Sequence, residues 1–229
     1  KGPTRQRNED ASYPSPSPPG VKKGENCHSL SPTVIVCDGI GGHDGGNVAS
    51  HLAIETVQQW LDKFPQNLDS NNFDLVTQLE NYVLEANDRI SHRNDNEGRS
   101  ERQRMGTTLV MAKGYAHKVY ITHIGDSRAY WITRTGCHQV TLDDDIASRE
   151  VRLGYSLYRE SLQQAGTGAL IQALGMSSSH HLRPTVQRFI LDEDCIFLLC
   201  SDGLSDNDRV EQNWDKEILP VLEKKVNLS

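Results

Sequence analysis

The chain has 229 residues, with 24 basic against 31 acidic side chains and a formal net charge of −7. This length suits one large domain or two small ones, and the acidic balance argues against non-specific binding to nucleic acid or an anionic membrane. No apolar run approaches the roughly 18 residues of a membrane span; "CIFLLC" is among the longest.

In chain order, "RNEDA" places Glu9 and Asp10 just ahead of a proline-rich run, "SYPSPSPPG". Residues 12–32 read as a stiff surface loop between two strands, with a polyproline recognition ligand as the other reading. "TVIVC" (33–37) is short, β-branched and unbroken, which predicts a strand buried on both faces. It runs straight into "DGIGGHDGG". Residues 47–64 carry Ala49, Leu52, Ala53, Val57, Trp60, Leu61 and Phe64 at three- and four-residue intervals, an amphipathic helix with Asn47 as its N-cap. A second helix is expected over 74–91, on the stripe Leu75, Val76, Leu79, Val83, Ala86 and Ile90.

From Gly106 the period shortens. "GTTLVMA", "KVYITHI", "SRAYWIT" and "HQVT" read as strands of an antiparallel meander, separated by the turn signals "KGY", "GD" and "RTG". Residues 144–174 read as helical, after which "TVQRFIL" and "CIFLLC" return to strand. Helices and strands grouped in this way predict an α+β fold with antiparallel sheets. The five cysteines form no CxxC pair, and three lie in apolar runs, as expected of a reduced, cytoplasmic protein.

The chemistry concentrates where strands end. "VIVCDG" closes on Asp38, "YITHIGD" on Asp126 and "IFLLCSDG" on Asp202, while Glu9 and Asp10 precede the proline run. Any one of these is an ordinary Asp-Gly turn. Together they are less ordinary, because a carboxylate at the mouth of a dry strand is costly unless paired or ligated. Nearby basic residues are few: Arg5, Arg7 and Arg128. Clustered carboxylates without thiolates favour hard cations, Mg²⁺ or Mn²⁺, over Zn²⁺ or Cu²⁺. His43 sits within the glycine loop, His51 reads as a helix residue, and the adjacent His180 and His181 read as surface. A phosphate-cradling loop fits less well, since the GK[ST] ending is missing and Asp38 repels an anion.

With these residues in view, the chain resembles the metal-dependent protein serine/threonine phosphatases of the type 2C (PPM) family, in their bacterial form. The motifs "RQRNEDA", "VCDGIGGH", "GTTLVMA", "HIGDSRAYW", "VTLDDD", "LIQALG" and "LLCSDGLSD" occur in the family's order across nearly the whole chain. The resemblance implies two antiparallel sheets packed as a sandwich and flanked by helices, in four α-β-β-α layers. It implies a centre of two or three Mg²⁺ or Mn²⁺ ions that activates water to hydrolyse phosphoserine and phosphothreonine in protein substrates, without a phosphoenzyme. Asp38 would bridge two ions, the Gly39 carbonyl and Asp202 would each bind one, and Glu9 and Asp10 would hold ligating water. Asp126, Asp202 and Asp206 would form the third position. Arg5 would clamp the substrate phosphate with its planar fork. The acid histidine of eukaryotic members is replaced by Ile40, which leaves His43 or ligated water for that role. Residues 145–168 fall where the family carries a flap.

The pattern departs at Asp143-Asp144, where the family has Asp-His, and at Asn47, where it has Glu. The family also has an Asp-Asn pair before a last apolar strand, and "VLEKKVNLS" ends without one. The expectation is therefore a single catalytic domain over 1–229 that lacks its C-terminal segment. It is expected to be a monomer without nucleic-acid or membrane partners. The alternative is a catalytically inactive phosphatase-like regulatory domain.

Overall fold

Helix formation in the first half follows the apolar spacing. In the computed structural model, which describes residues 8–15, 32–41, 45–63, 74–157, 160, 166 and 168–224, α1 spans Gly45–Leu61 and α2 spans Leu75–Asn96. Ala49, Ala53 and Val57 of α1 face Leu79, Val83, Ala86 and Ile90 of α2 in one buried cluster. Trp60 stacks on Tyr82 across the pair at 5.7 Å between ring centroids. Asp74 caps α2: its carboxylate accepts the Val76 N–H at 3.1 Å and the Thr77 hydroxyl at 2.6 Å. Asn47 does not cap α1. The helix begins two residues earlier, and the Asn47 carbonyl accepts from the Ser50 hydroxyl inside the first turn.

The strands are β1 (Ala11–Tyr13), β2 (Thr33–Cys37), β3 (Gly39–Ile40), β4 (Gly106–Thr107), β5 (Leu109–Tyr115), β6 (Lys118–Ile124), β7 (Arg128–Ile132), β8 (Cys137–Gln139), β9 (Thr185–Ile190) and β10 (Ile196–Cys200). They form a five-stranded sheet, β1-β2-β5-β6-β9, a three-stranded sheet, β10-β7-β8, and the small pair β3-β4, all antiparallel. The expected single meander is thus two hairpins. Beyond Ile124 the chain leaves the larger sheet and enters the smaller one at Arg128. The turn needs Gly125, whose φ is +101°. Likewise β9 closes the larger sheet while β10 edges the smaller.

Three apolar layers hold the stack together. Ile35, Cys37, Leu109, Met111 and Ile124 pack beneath α1 and α2. Val36, Val110, Ile121, Ala129, Phe189, Phe197 and Leu199 fill the space between the sheets. Tyr130, Ile132 and Cys200 pack outward against Val210 and Trp214 of the helix Arg209–Glu217. The result is the α-β-β-α sandwich. β2 lies between two of these layers, yet Val34 at its outer end is 40% exposed, so burial on both faces holds only toward Cys37. Helix in the segment 144–174 is confined, among the described residues, to α3 (Ile146–Arg152) apart from the single residue Glu160. Asp145 caps α3 through the Ser148 N–H at 2.6 Å.

The two ends of 145–168 are stapled together by backbone bonds. The Ile146 N–H donates to Ala169 O at 3.1 Å, and the Ile171 N–H donates to Asp144 O at 2.7 Å. His180 and His181 are exposed, as expected.

Candidate metal centre

Strand register brings the acids to one end of the sandwich. β1 pairs with β2 through Ala11↔Cys37, so the next pair outward is Asp10 opposite Asp38. β7 pairs with β10 through Arg128↔Cys200, so two steps further Asp126 lies opposite Asp202. Each sheet therefore ends in a pair of aspartates. The sandwich sets the pairs side by side: the Ser201 hydroxyl donates to Asp10 Oδ2 at 3.3 Å, across the two sheets.

Asp38 is the innermost of the four, 8% exposed. Burial, and then the Asp10 and Asp202 carboxylates within hydrogen-bonding reach, push its carboxyl up to about 8. Asp126 is pushed up to about 7, first by burial and then by Asp202 and Asp143. Asp206, just beyond the short helix Asp202–Ser205, is raised by burial and by Asp202. Asp202 is thus the shared neighbour of Asp38, Asp126 and Asp206, and the four carboxylates with Asp10 make one acidic basin. The charges that act most strongly on Asp38 and Asp126 are acids, whereas Arg128 and Arg209 pull against the rise at Asp206. Arg128 is near but committed elsewhere. It grips Asp143 with bonds of 2.7, 3.0 and 3.1 Å, both groups being largely buried.

Other expected site residues are placed differently. The Glu9 carbonyl accepts the Ser50 hydroxyl at 2.8 Å, which ties the chain entering β1 to α1. Gly39 pairs with Thr107, and a side chain on Gly46 of α1 would meet the Gly39 carbonyl oxygen at 2.8 Å. The glycines after Asp38 do not all leave space for ligands. A Cβ on Gly39 would lie 2.3 Å from Gly46 O, so these two glycines let backbone pack on backbone. Arg5 and His43 lie outside the described residues.

Sequence reading passed over the parts that hold Asp38 still. The Asp38 N–H donates to Thr108 Oγ1 at 3.0 Å, while the Thr107 hydroxyl and the Thr108 N–H both donate to Asp38 O at 2.9 Å. Asp144, standing where the family has histidine, accepts the Gly125 N–H at 3.0 Å and so holds the turn that carries Asp126. The available signal was the strand register: Thr108 stands opposite Asp38 on one side and Gly125 on the other.

Among the described residues no three His, Cys, Asp or Glu side chains form a finished cation cage. The donor chemistry nevertheless fits a hard divalent ion. All the donors are oxygens, the most buried carboxylate among them lies against the acids Asp10 and Asp202, and Mg²⁺-type ions complete their shells with water. Cys37 is no competing ligand, since burial holds its thiol protonated.

The Protein phosphatase 2C family model matches residues 22–225. The serine/threonine phosphatase stp of Listeria monocytogenes is 30% identical over 174 residues, covering 76% of this chain and 67% of that protein. The crystal structure of the Mycobacterium tuberculosis serine/threonine phosphatase PstP/Ppp superposes with a TM-score of 0.72 at 26% identity, over 96% of this chain and 84% of that one. A structure of the PstP catalytic domain in complex with two manganese ions superposes at 0.70 with 26% identity, over 98% and 85% of the two chains.

Proposed function

The chain belongs to the protein phosphatase 2C family, and on that premise we propose that its acidic basin is the hydrolytic centre of a metal-dependent protein serine/threonine phosphatase. The observation that supports this reading is the convergence of Asp10, Asp38 and Asp202 from three strand ends, with Asp10 and Asp202 pressing on the buried Asp38 carboxylate. Asp10, Asp38, Asp202 and the Gly39 carbonyl would hold two divalent ions, with Glu9 orienting ligated water. Asp126, Asp202 and Asp206 would hold a third. Manganese, seen in the related PstP domain, and magnesium both suit these oxygens. When bound, such ions lower the pKa of water and neutralise phosphoryl oxygens, the two needs of phosphomonoester hydrolysis.

The protein's own share is positioning. β2 and the Thr107-Thr108 pair fix the main chain of Asp38, so its carboxylate is carried on backbone that need not reorganise during the reaction. Burial keeps bulk water from Asp38 and strengthens its attraction for a cation. Arg5 is assigned the substrate phosphate, for which a guanidinium supplies paired donors. His43 is assigned the leaving seryl or threonyl oxygen as proton donor. The segment 145–168 is assigned as a flap beside the site. Its base is tied to the centre, because Asp144 bonds Gly125 and Asp145 adds to the field at Asp126. Phosphoproteins are the substrates, and among the described residues no helix is long and apolar enough to cross a membrane. A monomer at work in the cytoplasm is the reading that accompanies this function.

The test is hydrolysis of a phosphothreonine peptide and of an aryl phosphate by this chain, with Mn²⁺ or with chelator. Turnover should require the ion and fall at least about 100-fold in Asp38→Asn and Asp202→Ala, the scale on which electrostatic stabilisation of a transition state is lost. Metal-independent turnover, or full activity in Asp202→Ala, would overturn the assignment.

A further inference from the structure

Two buried hydroxyls join the halves of the basin. Thr108 and Ser127 are each 1% exposed, and their Oγ atoms stand 2.6 Å apart. Thr108 Oγ1 also accepts the Asp38 N–H at 3.0 Å, and the Thr108 N–H returns a bond to Asp38 O at 2.9 Å. On its other flank Thr108 seats the crossover turn. A Cβ on Gly125 would lie 2.7 Å from Thr108 Cγ2, so the glycine backbone rests directly on that methyl group. Ser127 follows Asp126 at once. One threonine therefore holds the main chain of Asp38 in the larger sheet, and through a single further hydroxyl it reaches the residue next to Asp126 at the start of the smaller one.

We propose that Thr108 and Ser127 are a positioning pair that sets Asp38 and Asp126 in a common register, so that cation affinity on the Asp38 side depends on the Ser127 hydroxyl. The cation part rests on the metal-dependent reading above; the register part does not. The physical reason is that a hydroxyl has one proton and two acceptor sites. Thr108 Oγ1 accepts from Asp38 and shares one proton with Ser127 Oγ. In a dry site, linked bonds of this kind polarise one another. Removing Ser127 Oγ leaves the Thr108 hydroxyl free to rotate and loosens its hold on the Asp38 amide, although Ser127 does not touch that amide. A threonine that merely filled its place in β5's approach would show no such remote effect.

The experiment follows the Asp38 amide by hydrogen exchange in chelator, measured against α2 amides that report global opening, in the full chain and three variants. In Ser127→Ala the Asp38 amide should exchange about 3- to 10-fold faster relative to that reference, the range spanned by one hydrogen bond's net worth. Thr108→Val, which keeps the shape and loses the hydroxyl, should exceed this, and Thr108→Ser should recover most of the protection. Calorimetric titration with Mn²⁺ should then show Ser127→Ala binding weaker by a similar factor. Unchanged Asp38 exchange in Ser127→Ala would overturn the pairing even if Thr108→Val fails to fold. Faster exchange with unchanged Mn²⁺ affinity would overturn the coupling to cation binding. If the unaltered chain takes up no Mn²⁺ while the exchange shift is present, the shared register stands and the metal-dependent reading falls.

Discussion

Gly39→Ala puts a methyl group where three backbone atoms already stand. Its Cβ would lie 2.3 Å from Gly46 O, 2.4 Å from Gly46 C and 2.6 Å from Glu9 O. Carbon contacts are comfortable only from about 3.5 Å, so the overlap is about 1 Å against each of two main-chain carbonyls. No flexible side chain is available to swing away. Relief requires moving the N-terminus of α1 or the chain entering β1, and overpacking of this kind costs about 1–3 kcal/mol, sometimes more. Because two main-chain segments must shift together, the top of that range is expected, about 3 kcal/mol, or roughly 6–12 °C in Tm at this chain length. Gly203→Ala is the control. Nothing lies within 4 Å of its would-be Cβ, and it sits in the short helix Asp202–Ser205. Alanine there should be neutral or stabilising by up to about 1 kcal/mol. Gly46→Ala, with nearest atoms at 2.7, 2.8 and 2.9 Å, should fall between them. Urea and thermal unfolding in chelator measure all three without a contribution from bound ions. If Gly39→Ala unfolds within about 1 kcal/mol of the parent chain, or Gly203→Ala loses as much, the close-packing account of these glycines is wrong.

Stability in chelator should fall as pH rises. Asp38 and Asp126 have carboxyls pushed from an ordinary 3.8 up to about 8 and about 7. The folded state therefore binds their protons more tightly than the unfolded chain does. Their contribution is complete below 3.8 and is lost as pH climbs through 7 and 8. Urea midpoints from pH 4 to 9 should show a shallower fall in Asp38→Asn, and saturating Mn²⁺ should flatten the curve of the parent chain; identical slopes in chelator would count against the basin's electrostatics. Asp143→Ala should cost about 3 kcal/mol, the low end for breaking a buried pair, because Arg128, whose side chain is only 14% exposed, loses its short carboxylate contacts and keeps Glu211 at 3.9 Å and the Tyr130 hydroxyl. Arg128→Lys should not be benign, since an ammonium replaces the guanidinium's forked contact with Asp143. Replacing residues 147–168 by a short glycine linker should preserve the unfolding free energy to within about 1 kcal/mol, because the bonds at the base of the segment remain. It should lower kcat/KM for phosphoproteins more than for an aryl phosphate; equal losses would remove the flap assignment.

Much of this molecule is legible one segment at a time. The stripe Leu79, Val83, Ala86 and Ile90 needs nothing but helical periodicity to be read, and it is the buried face of α2. The acids at 38, 126 and 202 stand out because each follows an apolar strand. Where the reading failed, the deciding contacts were distant. Asn47 lost its capping role because Gly46 packs on Gly39, which draws the helix start back to Gly45. Residues 144–174 look helical in isolation, but Asp144 and Asp145 pair instead with the backbone near Leu170 and Gly125. The meander failed at Gly125, where a local turn signal gives no indication of which sheet the next strand will join.

What the chain determines by itself is therefore the set of donors: which carboxylates stand at strand ends, and that oxygen is their only ligand chemistry. Periodicity and turn residues act over a few positions, and they are enough for that. Whether those donors meet was settled by the fold. Register sets Asp10 opposite Asp38 and Asp126 opposite Asp202, the crossing at Gly125 sends the second pair into the other sheet, and packing between the sheets brings Asp202 to Asp38. These contacts join residues up to 191 positions apart. They exist only once the apolar layer between the sheets has formed, because burial of that layer supplies the free energy that holds like charges together.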